Sequence, residues 1–500
     1  MKEKLNKLKE LTAEIMDIYN AAQLLEWDQQ VNMPPGGAEQ RGNQTATLQR
    51  ILHTKTISPE YSKLLEELVA SADELDPDSD DARLIEACKR FYDQRAKVPP
   101  EFTAEWYKTI SLAYSTWEKA REASDFKMFQ PDLEKVVEMR RQFAEFFAPY
   151  DHVYDPLLDY FEPGMKTAEV KAIFDELRPQ QVELLKAIAD QPQVDDSFLH
   201  IEYDEQKQWD FGVEVITKYG YDWERGRQDK SAHPFTTGFS VNDVRITTRV
   251  DPLFLPSALF GTLHECGHGL YGMGINPAYE RTPLADGASL AVHESQSRTY
   301  ENLVGRSMPF WQHFYPRLQE FFPAQLGNID LPTFYKGINK VEPSLIRVEA
   351  DEATYNLHIM LRLEIEIALM EGALEVKDLP EVWNTRMQEY LGVTPPNDRL
   401  GVLQDVHWSS GYIGYFSTYA LGNLISAQLW ETMIADIPDL TDQFARGEFS
   451  ALTEWMKSKI HVYGAKYKPQ ELVQKVTGSQ IDPAPYMKYL QTKYGEIYSL

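Results

Sequence analysis

The chain has 500 residues, of which 43% are hydrophobic and 25% are charged, and it carries a formal net charge of −27 with only two cysteines. This is the composition of an ordinary globular protein, so it excludes collagen-like, disulfide-scaffold and wholly disordered chains. The excess of 77 acidic over 50 basic residues would repel a phosphate backbone, which argues against nucleic acid as a partner.

Three features bear on where the protein works. The first residues, Met1 to Lys4, lead into alternating charged residues and leucines rather than an apolar run, so we predict no secretory signal. The longest uncharged stretch, 408–430, is broken by glycines and amides that hydrocarbon would tolerate poorly, which indicates a buried helix and no membrane partner. Cys88 and Cys266 fit a reducing compartment, although one bridge between them stays possible. We expect a soluble, cytoplasmic protein.

Apolar residues at helical spacing recur along most of the chain. The first helix should end before Met33-Pro34-Pro35-Gly36-Gly37, because two prolines and two glycines stop a helix. Further helices are predicted at 38–54, 58–75, 82–95, 101–123, 131–148, 256–272, 287–305, 312–323, 341–371, 379–391, 411–434, 439–445, 449–458 and 468–476. Residues 233–250 alternate at strand period around turn residues, which predicts one hairpin or short sheet. The length alone leaves open whether this mainly α chain forms one domain or about three.

The segment His264-Glu265-Cys266-Gly267-His268 carries the sharpest chemical signal. Two histidines four residues apart on a helix project from one face, so both imidazoles can reach one tetrahedral Zn²⁺, with Glu265 beside the bound water. Gly267 and Gly269 have no bulk, which would let a second helix or the substrate approach closely. Cys266 points elsewhere at this spacing and is interpreted as a packing residue.

A catalytic zinc needs a third protein ligand, and the sequence His293-Glu294 offers one on a following antiparallel helix. Taken alone, Glu294 would be an exposed or salt-bridged glutamate; after the histidine pair, it is predicted as the metal ligand. His293 has no coordination place left, so it either supports the ligands or contacts substrate.

Two further segments suit a peptide-cleaving site. Arg347, within 346–351, lies on a predicted helix and could hold a carboxylate, although an ordinary ion-pair arginine is the alternative. The segment 401–408 ends in His407-Trp408 and precedes Tyr412 and Tyr415, a group of donors that could stabilise an oxyanion or could simply belong to the core.

These motifs, together with Leu24 to Gln30, Met33 to Gly36, 233–235 and 243–249, resemble those of the carboxypeptidase Taq family of zinc metallocarboxypeptidases, and the Bacillus-type members in particular. The resemblance covers nearly the whole chain. It implies a mainly α, gluzincin and neurolysin-like fold: one catalytic domain over 1–500 with a deep central groove and a small β-sheet near the active site. The helical part over about 1–150 would wall or cover the groove, and the protein would be a homodimer.

By position, the resemblance implies His264, His268 and Glu294 as ligands of one Zn²⁺ per subunit, with Co²⁺ as a possible substitute, and Glu265 as general base. It implies Arg347 as the group that holds the substrate's terminal carboxylate. A wider similarity to helical dipeptidyl carboxypeptidases adds His407 and Tyr415 as catalytic donors and Tyr412 as a substrate contact. We also expect the strand at 243–250 to pair with the substrate backbone.

The implied activity is release of single amino acids, with broad specificity, from peptides that have a free C-terminal carboxylate. A dipeptidyl carboxypeptidase or oligopeptidase on the same zinc site is one alternative, and product mass separates the two. A catalytically silent peptide-binding protein with structural zinc is the other, but such sites commonly close with a fourth, cysteine ligand, and an intact Glu265 argues against it.

Overall fold

The structure, a computed structural model, describes all residues from Met1 to Leu500. The helices in chain order are α1 (Lys2–Val31), α2 (Ala38–Thr56), α3 (Pro59–Val69), α4 (Asp80–Ala96), α5 (Pro100–Ala123), α6 (Phe126–Glu145), α7 (Asp155–Phe161), α8 (Thr167–Ala189), α9 (Glu205–Tyr219), α10 (Leu255–Gly274), α11 (Leu290–Arg298), α12 (Met308–Phe321), α13 (Pro323–Leu326), α14 (Leu331–Ile338), α15 (Tyr355–Glu371), α16 (Leu379–Leu391), α17 (Ser417–Asp436), α18 (Leu440–Ala445), α19 (Ser450–Lys459), α20 (Pro469–Thr477) and α21 (Ala484–Tyr498). The strands are β1 (Gly226–Lys230), β2 (Thr236–Ser240) and β3 (Asp243–Thr248). The prediction of a mainly α fold with one small sheet is confirmed.

Local sequence rules set several helix ends correctly. α1 stops at Val31 and α2 starts at Ala38, so the break falls on the predicted proline and glycine pairs. α6 starts at Phe126, earlier than predicted, because the Asp125 side chain accepts the backbone N–H of Lys127 and caps the helix. The sequence patterns gave no helix for α7, α8, α9, α13, α14 or α21.

Two predicted helices near the chemical motifs are shorter in the structure. Over 341–371, only α15 is α-helical, and Arg347 lies in a 3₁₀ turn instead. The carboxylate of Asp351 accepts the backbone N–H groups of Ala353 and Thr354, which starts the helix after this point. Over 411–434, α17 starts at Ser417, because Gly411 and Gly414 have φ values of 74° and 98° that a helix does not allow.

The sheet has the strand order β1-β3-β2, with β1 parallel and β2 antiparallel to β3. The predicted hairpin is therefore real, and β1 is an additional strand. Since β3 is hydrogen-bonded on both sides, it has no free edge for a peptide, so the expected pairing of 243–250 with the substrate backbone is wrong.

A single cluster of 112 buried side chains extends from Leu5 to Tyr498. Within it, α11 packs against both α10 and α17, and α10 also packs against β3. Cys88 and Cys266 are buried free thiols, so no bridge joins them, and Cys266 is a packing residue as predicted. None of the helices is both long and apolar enough to cross a membrane.

Candidate active site

Two helices bring together the residues that could hold a metal ion. α10 starts with Pro256 in its first turn and presents His264 and His268 on one face, with ring centroids 4.9 Å apart. α11 presents Glu294, whose Oε2 lies 3.6 Å from His264 Nε2 and 3.5 Å from His268 Nε2. The predicted ligand set is therefore assembled by the fold, and its three ligand atoms lie within 4.8 Å of one another.

Glycines allow the ligand helices to approach this closely. A Cβ on Gly267 would lie 2.6 Å from Ser297 Cα and 2.7 Å from the carbonyl oxygen of Gln296, both in the backbone that continues from Glu294. A Cβ on Gly422, in α17, would lie 2.5 Å from Glu294 Cγ. Contacts this short do not occur between real atoms, so side chains at either position would displace Glu294 from the histidines. The close approach predicted for Gly267 is confirmed.

Each candidate ligand has a polar partner on the side away from the other two ligands. His264 Nδ1 is 2.8 Å from Glu301 Oε2, and His268 Nδ1 is 2.9 Å from His293 Nδ1, which leaves both Nε2 atoms directed at Glu294. Of the two roles open to His293, the structure shows the contact with a ligand. Arg298 Nε donates to Glu294 Oε1 at 2.7 Å.

Arg298 and Glu301 are members of the site that the sequence patterns did not single out. They lie four and seven residues after Glu294, and this spacing places them on its side of a helix, so a search along that face would have found them. Burial alone would raise the pKa of Glu301, but Arg298 and His264 lower it to about 2, so Glu301 is ionised behind His264.

The donor set suits a borderline divalent metal. Two imidazole nitrogens and one carboxylate oxygen are the ligands of many catalytic zinc sites, and ligand atoms in tetrahedral coordination lie about 3.3–3.6 Å apart. The observed 3.5 and 3.6 Å separations match that spacing. The backing hydrogen bonds also fix the orientation of both rings, as metal-binding histidines require.

Glu265 follows His264 on α10 and is 6% exposed. Its Oε2 accepts a hydrogen bond of 2.6 Å from Thr236 Oγ1, and the same hydroxyl lies 3.1 Å from the Glu265 carbonyl oxygen. Thr236 belongs to β2, so the small sheet holds the candidate general base. The sequence patterns gave no role to Thr236.

Arg347 lies in a buried charge cluster that joins two of the predicted motifs. Its Nε and Nη2 lie 3.0 and 2.9 Å from Asp405 Oδ1, and Arg362 donates to Asp405 Oδ2 at 2.7 Å. Two guanidinium groups thus share one carboxylate, which leaves the cluster with a surplus positive charge. Burial opposes ionisation of Asp405, but the two arginines hold its pKa well below the usual range.

Tyr355 connects this cluster to the ligand helices. Its hydroxyl accepts a hydrogen bond of 3.0 Å from Arg347 Nη1, and the guanidinium of Arg298 lies 4.7 Å from its ring centroid. Arg298 in turn holds Glu294, so one aromatic ring separates Arg347 from the partner of a candidate metal ligand. Tyr355 was not predicted as a site residue.

His407, Tyr412 and Tyr415 lie together, with the ring of His407 5.4 Å from that of Tyr415 and 6.5 Å from that of Tyr412. Burial lowers the pKa of His407 to about 3, so the ring is neutral, and its Nδ1 has no hydrogen-bond partner. Burial raises the pKa of Tyr415, and the charge of Glu294 adds a smaller contribution in the same direction. Tyr412 is 46% exposed.

Comparisons with known proteins show the family of this chain. The family described as Carboxypeptidase Taq (M32) metallopeptidase matches residues 7–494. Thermostable carboxypeptidase 1 of Thermus thermophilus is 42% identical over 501 residues, and Carboxypeptidase 1 of Bacillus subtilis is 38% identical over 492 residues, each match covering 98% of both chains. The crystal structure of an M32 carboxypeptidase from Deinococcus radiodurans superposes with a TM-score of 0.96 at 38% identity, covering 100% of both chains. This chain therefore belongs to the carboxypeptidase Taq (M32) family of metallopeptidases.

Proposed function

We propose that this protein is a zinc-dependent carboxypeptidase that releases single amino acids from the C-termini of peptides with broad specificity. The observation that carries the proposal is the meeting of three metal-binding side chains with a separate carboxylate, Glu265, that is not needed as a ligand. The buried Arg347 cluster supplies the feature that an exopeptidase needs, namely a positive charge for the substrate's free carboxylate.

Zinc bound by His264, His268 and Glu294 would polarise the scissile carbonyl and acidify a water molecule, and Co²⁺ would be accepted by the same donors. Glu265 removes a proton from the attacking water and later gives it to the leaving amine. Because Thr236 occupies Glu265 Oε2, the other carboxylate oxygen, Oε1, is the one free to take the proton.

Tyr415 and His407 stabilise the negative charge that develops on the carbonyl oxygen when water attacks the carbonyl carbon. The raised pKa of Tyr415 keeps its hydroxyl protonated, so it can donate a hydrogen bond across the working pH range. The neutral ring of His407 packs against Tyr415, and its Nδ1 is buried 3.9 Å from Asp405 Oδ1, so Nε2 is the atom that could serve as a second donor in the tautomer that protonates it.

Arg347 sets the requirement for a free C-terminus. A substrate carboxylate would neutralise the surplus charge that Arg347 and Arg362 leave beside Asp405, whereas an internal peptide bond would leave that charge buried without a partner. The Tyr355 hydroxyl holds Arg347 from a second direction. Tyr412, which is exposed beside Tyr415, contributes as a further substrate contact.

We further propose that residues 1–500 form one catalytic domain whose first 150 residues wall the groove. In support, Trp117 Nε1 donates to the carbonyl oxygen of Leu403 at 3.0 Å, and Arg140 Nε donates to that of Gly411 at 2.7 Å. Both acceptors belong to the chain segment that carries His407. The homodimeric state and the cytoplasmic location remain predictions, which sedimentation analysis and cell fractionation would test.

The experiment is mass spectrometry of a free peptide and its C-terminally amidated form after incubation with the zinc-loaded protein. We expect stepwise loss of single residues from the free peptide only. Glu265→Gln should abolish the cleavage while retaining zinc, and Glu381→Gln, at an exposed position in α16, should leave it unchanged as the matched control.

Each other outcome removes a defined part of the proposal. Dipeptide products would indicate a dipeptidyl carboxypeptidase. Equal cleavage of the amidated peptide would show that Arg347 does not select the free carboxylate. Absence of any cleavage by the zinc-loaded protein would favour a silent peptide-binding protein.

A further inference from the structure

Three tyrosines from separate parts of the chain converge beside the candidate catalytic group. Tyr107 comes from α5, Tyr160 from α7, and Tyr412 from the loop before α17; their side chains are 64%, 50% and 46% exposed. One exposed apolar side chain is ordinary, but a group of exposed aromatic side chains marks a surface that binds a partner or ligand. We refer to these three residues as the tyrosine shelf.

The tyrosine shelf is continuous with the catalytic group through Phe161. The ring centroid of Phe161 lies 5.2 Å from Tyr160, 6.3 Å from Tyr412 and 5.1 Å from Tyr415. Tyr415 in turn lies against His407. If the cleaved bond of a peptide lies beside Tyr415, then Tyr412 and Tyr160 are the next large side chains that the peptide meets towards the exposed surface.

Tyr107 lies near the other members of the tyrosine shelf, because a Cβ on Gly411, the residue before Tyr412, would overlap the ring of Trp106, the residue before Tyr107. Although Tyr107 and Tyr412 are exposed to water, burial raises the pKa of each hydroxyl, and the Tyr160 hydroxyl is the next cause of both shifts. Glu26 of α1 is also exposed, and burial raises the pKa of its carboxyl. Protein atoms around these side chains limit the hydration of an ionised group, which is why each pKa is raised.

The burial of Arg347 indicates which part of a peptide substrate would lie on the tyrosine shelf. Arg347 is 5% exposed and Arg362 is fully buried, so the chain cannot continue beyond the carboxylate held there. A carboxypeptidase places one residue on that side of the cleaved bond. The remainder of the peptide must leave the site on the exposed side, along the tyrosines.

We propose that Tyr107, Tyr160 and Tyr412 bind the substrate residues that precede the cleaved bond and favour aromatic or large apolar side chains there. This inference rests on the proposed carboxypeptidase function. Tyrosine rings supply flat apolar area with little loss of side-chain freedom, and their protonated hydroxyls can donate to the carbonyl groups of a peptide backbone.

The test compares an N-acylated dipeptide with a tetrapeptide that has the same C-terminal pair preceded by phenylalanine. The variants are Tyr107→Ala and Tyr160→Ala, with Tyr160→Phe to separate ring from hydroxyl. Leu112→Ala is the matched control, because Leu112 is 56% exposed on the same helix as Tyr107 but about 140° around its axis. We expect both alanine variants to lower the ratio of kcat/KM for the tetrapeptide to that for the dipeptide about tenfold, mainly through KM. Leu112→Ala should keep the wild-type ratio.

A binding measurement separates this inference from the proposed function. Glu265→Gln protein, with and without the added Tyr160→Ala change, is titrated with the tetrapeptide, and we expect about tenfold weaker binding when Tyr160 is removed. An unchanged ratio together with unchanged binding would overturn the tyrosine shelf while leaving the peptidase standing. If the wild-type protein cleaves nothing, the proposed function fails, and the titration alone decides whether the shelf binds peptide.

Discussion

Gly267→Ala should separate the two helices that carry the proposed metal ligands. The added Cβ would lie 2.6 Å from Ser297 Cα, and the atoms it meets are backbone, so no side-chain rotation relieves the clash. Carbon atoms pack at about 3.5 Å or more, so α10 and α11 must move apart by about 0.9 Å. Metal–ligand distances tolerate about 0.2 Å, so His264 and His268 could no longer share an ion with Glu294 in the observed geometry.

We expect Gly267→Ala to weaken zinc affinity about 10- to 100-fold, the range found when the supports of metal ligands are altered. The overpacking should cost about 1–3 kcal/mol, which a stable domain survives, so the variant should still fold. Zinc affinity is measured by competition with a chromophoric chelator, and folding by circular dichroism.

The matched control is Gly42→Ala, in the interior of α2, where a Cβ would have nothing within 4 Å. It should keep wild-type zinc affinity and gain about 0.5–1 kcal/mol of stability from the better helix propensity. If Gly267→Ala bound zinc as tightly as the wild type, the helix spacing would not limit the ligand geometry, and the reasoning would be refuted.

Three further predictions concern the metal, the charge cluster and a buried carboxyl. Removing zinc with a chelator should abolish peptide cleavage and lower the melting temperature, and Zn²⁺ or Co²⁺ should restore both; activity that survives dialysis against the chelator would contradict this. Arg347→Ala should raise KM for peptides with a free C-terminus at least about thirtyfold, since it removes one partner of a buried charge contact, and an unchanged KM in steady-state assays would speak against the anchor. Burial raises the pKa of Glu162 from 4.5 to about 8, so its stabilising contribution is complete below about pH 4.5 and is lost as the pH rises towards 8 and above. Glu162→Gln should remove that part of the pH dependence in denaturant titrations: it should match the wild type below about pH 4.5, because the amide oxygen can still accept the backbone N–H of Ala291, and it should be more stable than the wild type near pH 7; a curve that keeps its slope would disprove the assignment.

Much of the fold and of the metal site could be predicted from local sequence. The spacing of His264 and His268 places both on one face of any helix that contains them, and the proline and glycine pairs at 34–37 end a helix in any context. Both inferences depend on geometry within a few residues, which is why the structure reproduces them.

The contacts between motifs that lie far apart in the chain could be found only from the tertiary structure. Arg347 was expected on a helix but lies in a turn, because the Asp351 carboxylate accepts the N–H groups of Ala353 and Thr354 just before α15, a local competition for hydrogen bonds that apolar periodicity does not detect. Its pairing with Asp405 and Tyr355 joins three segments, and nothing in their individual sequences specifies that contact.

The sequence by itself determined the mainly helical character, the paired histidines, and the glycine that permits close helix packing. Only the tertiary structure decided that Gly422 admits Glu294, that Thr236 holds Glu265, and that β3 is closed on both edges. The physical reason is range: helix faces and breaks follow from neighbours along the chain, whereas packing distances, shared charges and strand order depend on side chains that meet only after folding.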